Sequence, residues 1–167
     1  CQNTDGPLLH TLRSGNDTAL AAQAKASESR IRALCEKSNG TESIAGLRKQ
    51  MMDTMEENVG IYRVGTELAT ACEKVSELRQ RYAGIAINDK SSVYNTDLLQ
   101  ALELGSMLDC AEAVTVGALA RKESRGAHQR LDFTERDDQN FLKHSLTYYH
   151  PKEPPRVEYL DVVITKS

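Results

Sequence analysis

A chain of 167 residues with a net charge of −3 is long enough for one or two small domains with a real core. Its charge is too small to make nucleic acid or an anionic membrane the default partner. Hydrophobic residues make up 40%, charged residues 27% and aromatic residues 5%, with no Trp, an ordinary globular balance that offers few platforms for stacking flat ligands. No apolar run reaches the roughly 20 residues of a membrane span, and residues 1–15 lack the basic-then-apolar pattern of a secretory signal.

Residues 1–16 are polar and carry Gly6, Pro7 and Gly15, which reads as an irregular leading segment. Cys1 has no Met before it, so the chain reads as a piece of something longer. From Asp17 to Lys37 the sequence is rich in alanine (Ala19, Ala21, Ala22, Ala24, Ala26). This predicts a helix capped by Asn16 or Asp17 and lying against a bundle rather than inside it, because few of its residues are large and apolar. Ser38-Asn39-Gly40 ends it with a residue that tolerates positive φ.

A second helix starts at Thr41 or Ser43 and places Ile44, Leu47, Met51, Met55 and Val59 on one stripe. A third opens at Gly65-Thr66-Glu67, presents Leu68, Cys72, Val75, Leu78 and Tyr82, and stops near Gly84. Glu73, Lys74, Glu77, Arg79, Gln80 and Arg81 read as its solvated face. The link 85–95 is rich in turn residues. Thr96 then caps a fourth helix over about 97–123, apolar on most faces and therefore central. Three helices with matching stripes and short connections make an up-down-up bundle, flanked by the remaining helical segment.

The character changes after residue 130. Residues 131–139 alternate acid and base, a loop held by charge. The stretches 141–149 and 156–165 carry period-two patterns separated by Pro151, Pro154 and Pro155, which predicts a β-hairpin or a pair of antiparallel strands. The fold class is mainly α: a three-helix bundle with an extra N-terminal helix and a C-terminal β-hairpin. Its divisions are 1–16, a helical bundle over 17–130, and a charged loop with β extension over 131–167.

The densest chemistry lies in Arg121, Lys122, Glu123, Arg125, His128, Arg130 and Asp132, directly after the longest apolar segment. Such a cluster at a helix end needs partners: terminal carbonyls, acids of the same chain, or another protein surface. No GxGxxG follows a strand and no GxxxxGK[ST] is present, so no phosphate cradle is readable. Cys35, Cys72 and Cys110 sit in helical patterns without CxxC or His spacing, which fits packing residues in a reducing compartment. His10, His144 and His150 read as surface residues. His128, near Arg125, Arg130 and Asp132, is foremost a structural hydrogen-bonding residue, and an Asp132-oriented general base is the sharper alternative. Glu56-Glu57 reads as solvated, and Asp137-Asp138 as paired with Arg136. Glu112 lies inside the apolar run and must be paired or sit at the edge of the stripe, with an arginine of the set 121–136 as the expected partner.

The segments Met55-Glu56-Glu57-Asn58-Val59-Gly60-Ile61-Tyr62-Arg63, Asp89-Lys90-Ser91-Ser92-Val93-Tyr94-Asn95-Thr96-Asp97-Leu98-Leu99, Ala120-Arg121-Lys122-Glu123-Ser124-Arg125-Gly126-Ala127-His128, Glu135-Arg136-Asp137-Asp138, Phe141-Leu142-Lys143-His144-Ser145-Leu146 and Val157-Glu158-Tyr159 occur in this order. Together they resemble the C-terminal region of the flavoprotein subunit of fumarate reductase and succinate dehydrogenase, over about residues 43–166. The Lys-Glu-Ser-Arg-Gly-Ala-His form favours these enzymes over the related L-aspartate oxidase and adenylylsulfate reductase flavoproteins.

The resemblance implies a spectrin-repeat-like three-helix bundle with a small β extension. It also implies a parent enzyme that interconverts succinate and fumarate and passes electrons from FAD to an iron–sulfur subunit. The family's catalytic and flavin-linking residues lie upstream, so none is expected here: no catalytic residue, no cofactor ligand and no metal ligand. What carries over is an interface made by Arg121, Lys122, Glu123, Arg125, His128, Arg130, Asp132, Arg136, Asp137 and Asp138. It would face the flavin-binding part of the same subunit or the iron–sulfur subunit, on the cytoplasmic side of a bacterial inner membrane and attached through partner subunits. Phe133-Thr134 departs from the family's Tyr-Pro, and the chain ends before the usual proline-containing tail. A free-standing interaction module and a hydrolase built on His128 and Asp132 are the competing readings.

Overall fold

The computed structural model describes residues 17–37, 39–91, 93–150 and 153–164. The leading segment 1–16, with Cys1 and His10, lies outside these residues, as do Pro151 and Lys152 in the link between the two predicted strands and Thr165 at the end of the second.

Helix α1 (Asp17–Glu36) is the predicted alanine-rich helix. Most of it is exposed, and Leu34 is its buried core residue. Its carboxyl end is tied down by Lys90, whose Nζ donates to the carbonyls of Cys35 (2.7 Å) and Lys37 (2.8 Å). Gly40 is required for a different reason than positive φ, which among the described glycines occurs at Gly126 (φ 57°). A Cβ on Gly40 would lie 2.4 Å from the Ala86 nitrogen and 2.5 Å from the Ile85 carbonyl carbon. Two backbone segments pass too closely there for any side chain.

Helix α2 (Ile44–Val59) begins at Ser43, whose Oγ accepts the Gly46 N–H (3.2 Å), the bond expected of an N-cap serine. It buries Leu47, Met51, Thr54 and Val59. Thr54 is tolerated because its hydroxyl donates to the Gln50 carbonyl at 2.8 Å. Strand β1 (Tyr62–Arg63) follows, then helix α3 (Gly65–Tyr82), which buries Leu68, Ala71, Val75 and Leu78. The link after α3 does more than turn: Ile85 and Ile87 are each 1% exposed and belong to the core.

Helix α4 (Thr96–Ala120) is capped by Asn95, not Thr96, since Asn95 Oδ1 accepts the Leu98 N–H at 2.8 Å. It ends three residues earlier than the sequence predicts because Arg121 turns extended (φ −86°, ψ 105°). Ala101, Leu104, Leu108, Ala111 and Ala118 are buried, while Leu99 and Val114 are exposed and Leu102 and Met107 sit half-covered. The helix therefore has one open side, although its composition is apolar all round.

Helices α2, α3 and α4 pack on one another. Their main core joins Leu47, Met51, Val75, Leu78, Leu104 and Leu108, and a smaller one joins Val59, Leu68, Ala71 and Ala118. Burying each leucine contributes about 1.5–3 kcal/mol of transfer free energy. Beyond α4 come β2 (Gln129–Arg130), the short helix α5 (Asp138–Phe141), β3 (Lys143–Tyr148) and β4 (Arg156–Asp161). β3 and β4 pair antiparallel, from Lys143↔Asp161 to Tyr148↔Arg156, and lie against α4. The described residues thus form a mainly helical fold of five helices with a C-terminal two-stranded antiparallel sheet. Two features depart from the sequence reading: the short helix α5 lies where a loop and the start of a strand were expected, and β1 pairs parallel with β2, Tyr62 opposite Gln129 and Arg63 opposite Arg130.

Candidate functional site

The charged loop after α4 is built around the carbonyls that any helix leaves unbonded at its carboxyl end. Arg130, only 3% exposed, points Nη1 at the carbonyls of Ala118 (3.2 Å), Leu119 (3.4 Å) and Arg121 (3.2 Å). Its other nitrogens form a two-pronged pair with Asp132, Nε to Oδ1 and Nη2 to Oδ2, both 2.7 Å. The guanidinium also lies over the Phe133 ring, 5.0 Å from its centre. Asp132 Oδ2 in turn accepts the Gly65 backbone N–H at 3.0 Å, at the start of α3. The Arg130 bonds, assisted by the Gly65 amide, hold the Asp132 carboxyl down at a pKa of about 2.

His128 is half-buried beside this pair. Its Nε2 lies 3.0 Å from the Arg121 carbonyl and its Nδ1 lies 2.7 Å from Arg63 Nη1. A carbonyl can only accept and a guanidinium can only donate, so the ring is neutral, with its proton on Nε2. Burial lowers its pKa, and the Arg63, Arg130 and Arg121 charges act in the same direction, against the Arg121 carbonyl, which favours protonation. Arg63 Nε donates to the carbonyls of Gly60 (2.7 Å) and Val59 (3.3 Å) at the end of α2.

Glu123 is fully buried. It accepts from Arg121, from Arg125 Nε (2.8 Å) and Nη2 (3.0 Å), and from the Asp137 N–H (2.9 Å). Burial alone would raise its pKa, but the bonds from Arg125, the Asp137 amide and Arg121 prevail and lower it. Arg121 also donates to the carbonyls of Phe141 and Lys143 and to Ser145 Oγ, fastening β3 to the end of α4. Ser124 closes the loop: its Oγ accepts the Arg130 N–H and donates to the Phe133 carbonyl, both at 2.8 Å.

Farther out, Asp138 bonds Arg125 (2.6 Å) and Arg136 (2.7 and 2.8 Å). Arg136 first and Arg125 second bring its carboxyl down to about 2. Asp137 caps α5 by accepting the Asn140 N–H at 2.9 Å. Lys122 is exposed.

All ten residues singled out from the sequence therefore fall in one region, with Glu123 and Arg130 buried, Arg121, Arg125, His128 and Asp137 partly buried, and Lys122, Asp132, Arg136 and Asp138 exposed. Glu123 and Arg130 cannot touch a partner directly; they brace the surface that Lys122, Arg125 and Arg136 present. Three members of the network were not among the residues expected in it: Ser124, Gly65 and Arg63. The last two approach from the β1 region and are adjacent only in the fold.

The pairing of His128 with Asp132 is not formed. Asp132 is committed to Arg130 and Gly65, and the His128 nitrogen that could accept a proton faces Arg63. The base-and-carboxylate alternative is corrected accordingly. Glu112 likewise has a different partner from the one expected: Arg79 of α3, at 2.5 Å, and not an arginine of the set 121–136. Arg79 also pairs with Asp109 (3.1 Å), donates to the His150 carbonyl (3.2 Å) and lies over Tyr149. It is thus a bridging residue and not part of a solvated face. Arg81, expected on that face too, reaches Glu42 with two bonds of 2.9 and 2.8 Å. His144 and Glu56-Glu57 are exposed, as expected. His150 Nδ1 accepts the Glu153 N–H at 2.9 Å. Among the described residues, no three His, Cys, Asp or Glu side chains come together as a metal site. No described helix is long and apolar enough to cross a membrane.

Fold and site define a helical domain braced by an inward-turned ion-pair network at the end of its longest helix. The chain belongs to the family of C-terminal domains of the fumarate reductase and succinate dehydrogenase flavoprotein subunit; the family described as "Fumarate reductase flavoprotein C-term" matches residues 48–167. It is 50% identical over 155 residues to the fumarate reductase flavoprotein subunit of Haemophilus influenzae, covering 93% of this chain and 26% of that protein. A solved E. coli quinol fumarate reductase is 47% identical, with a TM-score of 0.87 over 92% of this chain and 26% of that chain. A solved quinol-fumarate reductase with menaquinol molecules is also 47% identical, with a TM-score of 0.85 over 92% and 27%. The chain spans about a quarter of the length of the curated relatives it matches.

Proposed function

We propose that this chain is the C-terminal helical domain of an FAD-dependent flavoprotein subunit in an enzyme that interconverts succinate and fumarate. Its role there is scaffolding and docking, with the redox chemistry carried by the part of the subunit upstream. Residues 17–130 act as the helical scaffold, of the spectrin-repeat-like kind, and 131–167 as the loop and β extension. The surface held by Arg121, Lys122, Glu123, Arg125, His128, Arg130, Asp132, Arg136, Asp137 and Asp138 faces the flavin-binding part or the iron–sulfur subunit. The parent enzyme sits on the cytoplasmic side of a bacterial inner membrane through its other subunits.

The observation that carries this reading is the 50% identity across nearly the whole chain to one segment of a fumarate reductase flavoprotein. The loop geometry supports a docking role because Arg125 and Asp138 are pre-set by internal bonds, and a pre-ordered surface loses less entropy on binding. Calorimetric titration of the 167-residue chain with the separately expressed flavin-binding remainder, then with the iron–sulfur subunit, tests it. Saturable binding weakened by Lys122→Glu or Arg136→Glu is expected, since these side chains reach solvent and their reversal leaves the buried network in place. Absence of binding to both would reject the docking role.

A further inference from the structure

Among the described residues, the His128 ring directly joins the residue that closes the end of α2 to the carbonyl at the end of α4. Through Nδ1 it holds Arg63, whose Nε closes the carboxyl end of α2. Through Nε2 it holds the Arg121 carbonyl, which also receives Arg130. On either side of the ring the backbone continues the same connection: Gln129 N–H donates to the Ile61 carbonyl (3.2 Å) and Leu131 N–H to the Arg63 carbonyl (2.9 Å).

We propose that His128 is a proton-operated clasp, closed when the imidazole is neutral and opened when Nδ1 takes up a proton. A proton on Nδ1 removes the lone pair that Arg63 uses and sets two donors, both cationic, 2.7 Å apart. The charged groups around the ring offer no relief. Arg63 faces it from β1, Arg121 from the end of α4 and Arg130 from β2. The carboxylates of the cluster are already bonded, Asp132 to Arg130 and Glu123 to Arg121 and Arg125. The imidazolium can keep its Nε2 bond to the Arg121 carbonyl, so the strained side is Arg63, and the yielding element is the two-residue β1–β2 pairing. Protonation therefore frees Arg63, opens β1 from β2 and loosens the last turn of α2. The lowered pKa of the ring agrees in sign.

The sign of the pH dependence follows. A histidine whose folded pKa lies below its ordinary value of about 6.5 binds more protons when the clasp is open. The closed state is fully favoured above about pH 6.5 and loses ground as the pH falls through that value toward the folded pKa. Each pKa unit of separation weakens closure by about tenfold once both values are passed. This device is a property of the chain itself and does not depend on the role proposed for it in a larger enzyme.

The test is a pH titration of the 167-residue chain by NMR between pH 8 and pH 5, which are choices on the order of one to two units around the ordinary histidine value. The ¹⁵N shifts of His128 report tautomer and protonation, and amide exchange at Gln129 and Leu131 reports the β1–β2 pairing. The expected result is an Nε2–H ring at neutral pH, a midpoint below 6.5, and exchange at both amides that, relative to the intrinsic base-catalysed rate at each pH, rises with the same midpoint. His128→Gln, which keeps one donor and one acceptor but cannot titrate, should abolish that rise. A His128 midpoint at or above 6.5, or pairing whose exchange is unchanged across its titration, overturns the proposal, and both are read in the unsubstituted chain. Persistence of the same transition in His128→Gln overturns it as well.

Discussion

Asp132 caps the start of α3 from 67 residues away: its Oδ2 accepts the Gly65 N–H at 3.0 Å while the whole carboxylate is gripped by Arg130. Helix α3 has no capping side chain of its own, since Val64 occupies the N-cap position. The carboxylate also sits at the positive end of the α3 dipole, and Arg130 at the negative end of the α4 dipole. One ion pair thus couples two helix termini that the chain places far apart.

Asp132→Ala removes the cap and leaves Arg130 buried with only carbonyl partners. We expect a loss of about 2 kcal/mol in denaturant unfolding, below the value for a fully buried pair because Asp132 faces solvent on one side. The carboxyl sits at about 2 in the fold against an ordinary 3.8. Its contribution should therefore be present in full above pH 3.8 and be lost as the pH falls toward and through about 2. A variant whose acid unfolding curve superimposes on that of the unsubstituted chain would remove Asp132 from this role.

The Arg79–Glu112 contact is the other inward pair. Burial pushes the Glu112 carboxyl up despite Arg79 and its bond, so the ionised form depends on that partner. Arg79→Met should cost about 3–5 kcal/mol by leaving a carboxylate with 6% of its side chain exposed and no cation. Adding Glu112→Met should recover most of that loss. Unfolding midpoints of the two single variants and the double variant decide it: simple additivity would mean that the two residues do not act as a pair.

Leucines on α4 should separate by side of the helix. Leu108→Ala, fully buried, is expected to cost about 2–5 kcal/mol. Leu99→Ala, 56% exposed, should change stability by no more than about 0.5 kcal/mol. Comparable losses in thermal unfolding would put the core on the wrong side of the helix.

Gly40→Ala tests a contact between backbones. With Ala86 and Ile85 backbone atoms at 2.4–2.5 Å from the new methyl, the segment must move apart, at about 1–3 kcal/mol. The Glu42 amide, which donates to the Gly84 carbonyl, should lose protection in hydrogen exchange. A neutral or stabilising effect, as for an ordinary glycine replaced by alanine, would show that the approach is looser.

Periodic features were legible in the amino-acid order. Leu47, Met51, Val75, Leu78, Leu104 and Leu108 repeat at helical spacing, and a stripe of that kind has only one way to leave water. The alternation in 141–149 and 156–165 pointed to two strands for the same reason, and the strands lie within those stretches at Lys143–Tyr148 and Arg156–Asp161. The charged loop was recognisable as a cluster, because its residues are close in sequence. Its direction was not. Whether Glu123 and Arg130 face a partner or the interior depends on where the end of α4 lies relative to β1, and no local pattern encodes that.

The same division holds across the molecule. The four long helices, their apolar stripes and the alternation of the two closing strands follow from the order of residues alone, since each is a periodicity within one segment, and the family follows from short segments matched in order. Tertiary structure alone decided that Arg79 and not a loop arginine neutralises Glu112, that Asp132 caps α3, that Gly40 is needed for close approach, and that His128 joins Arg63 to the end of α4. Each of these is a contact between residues far apart in the chain. Directional hydrogen bonds and ion pairs act over a few ångströms, so their partners are chosen only once packing has brought the backbone segments together.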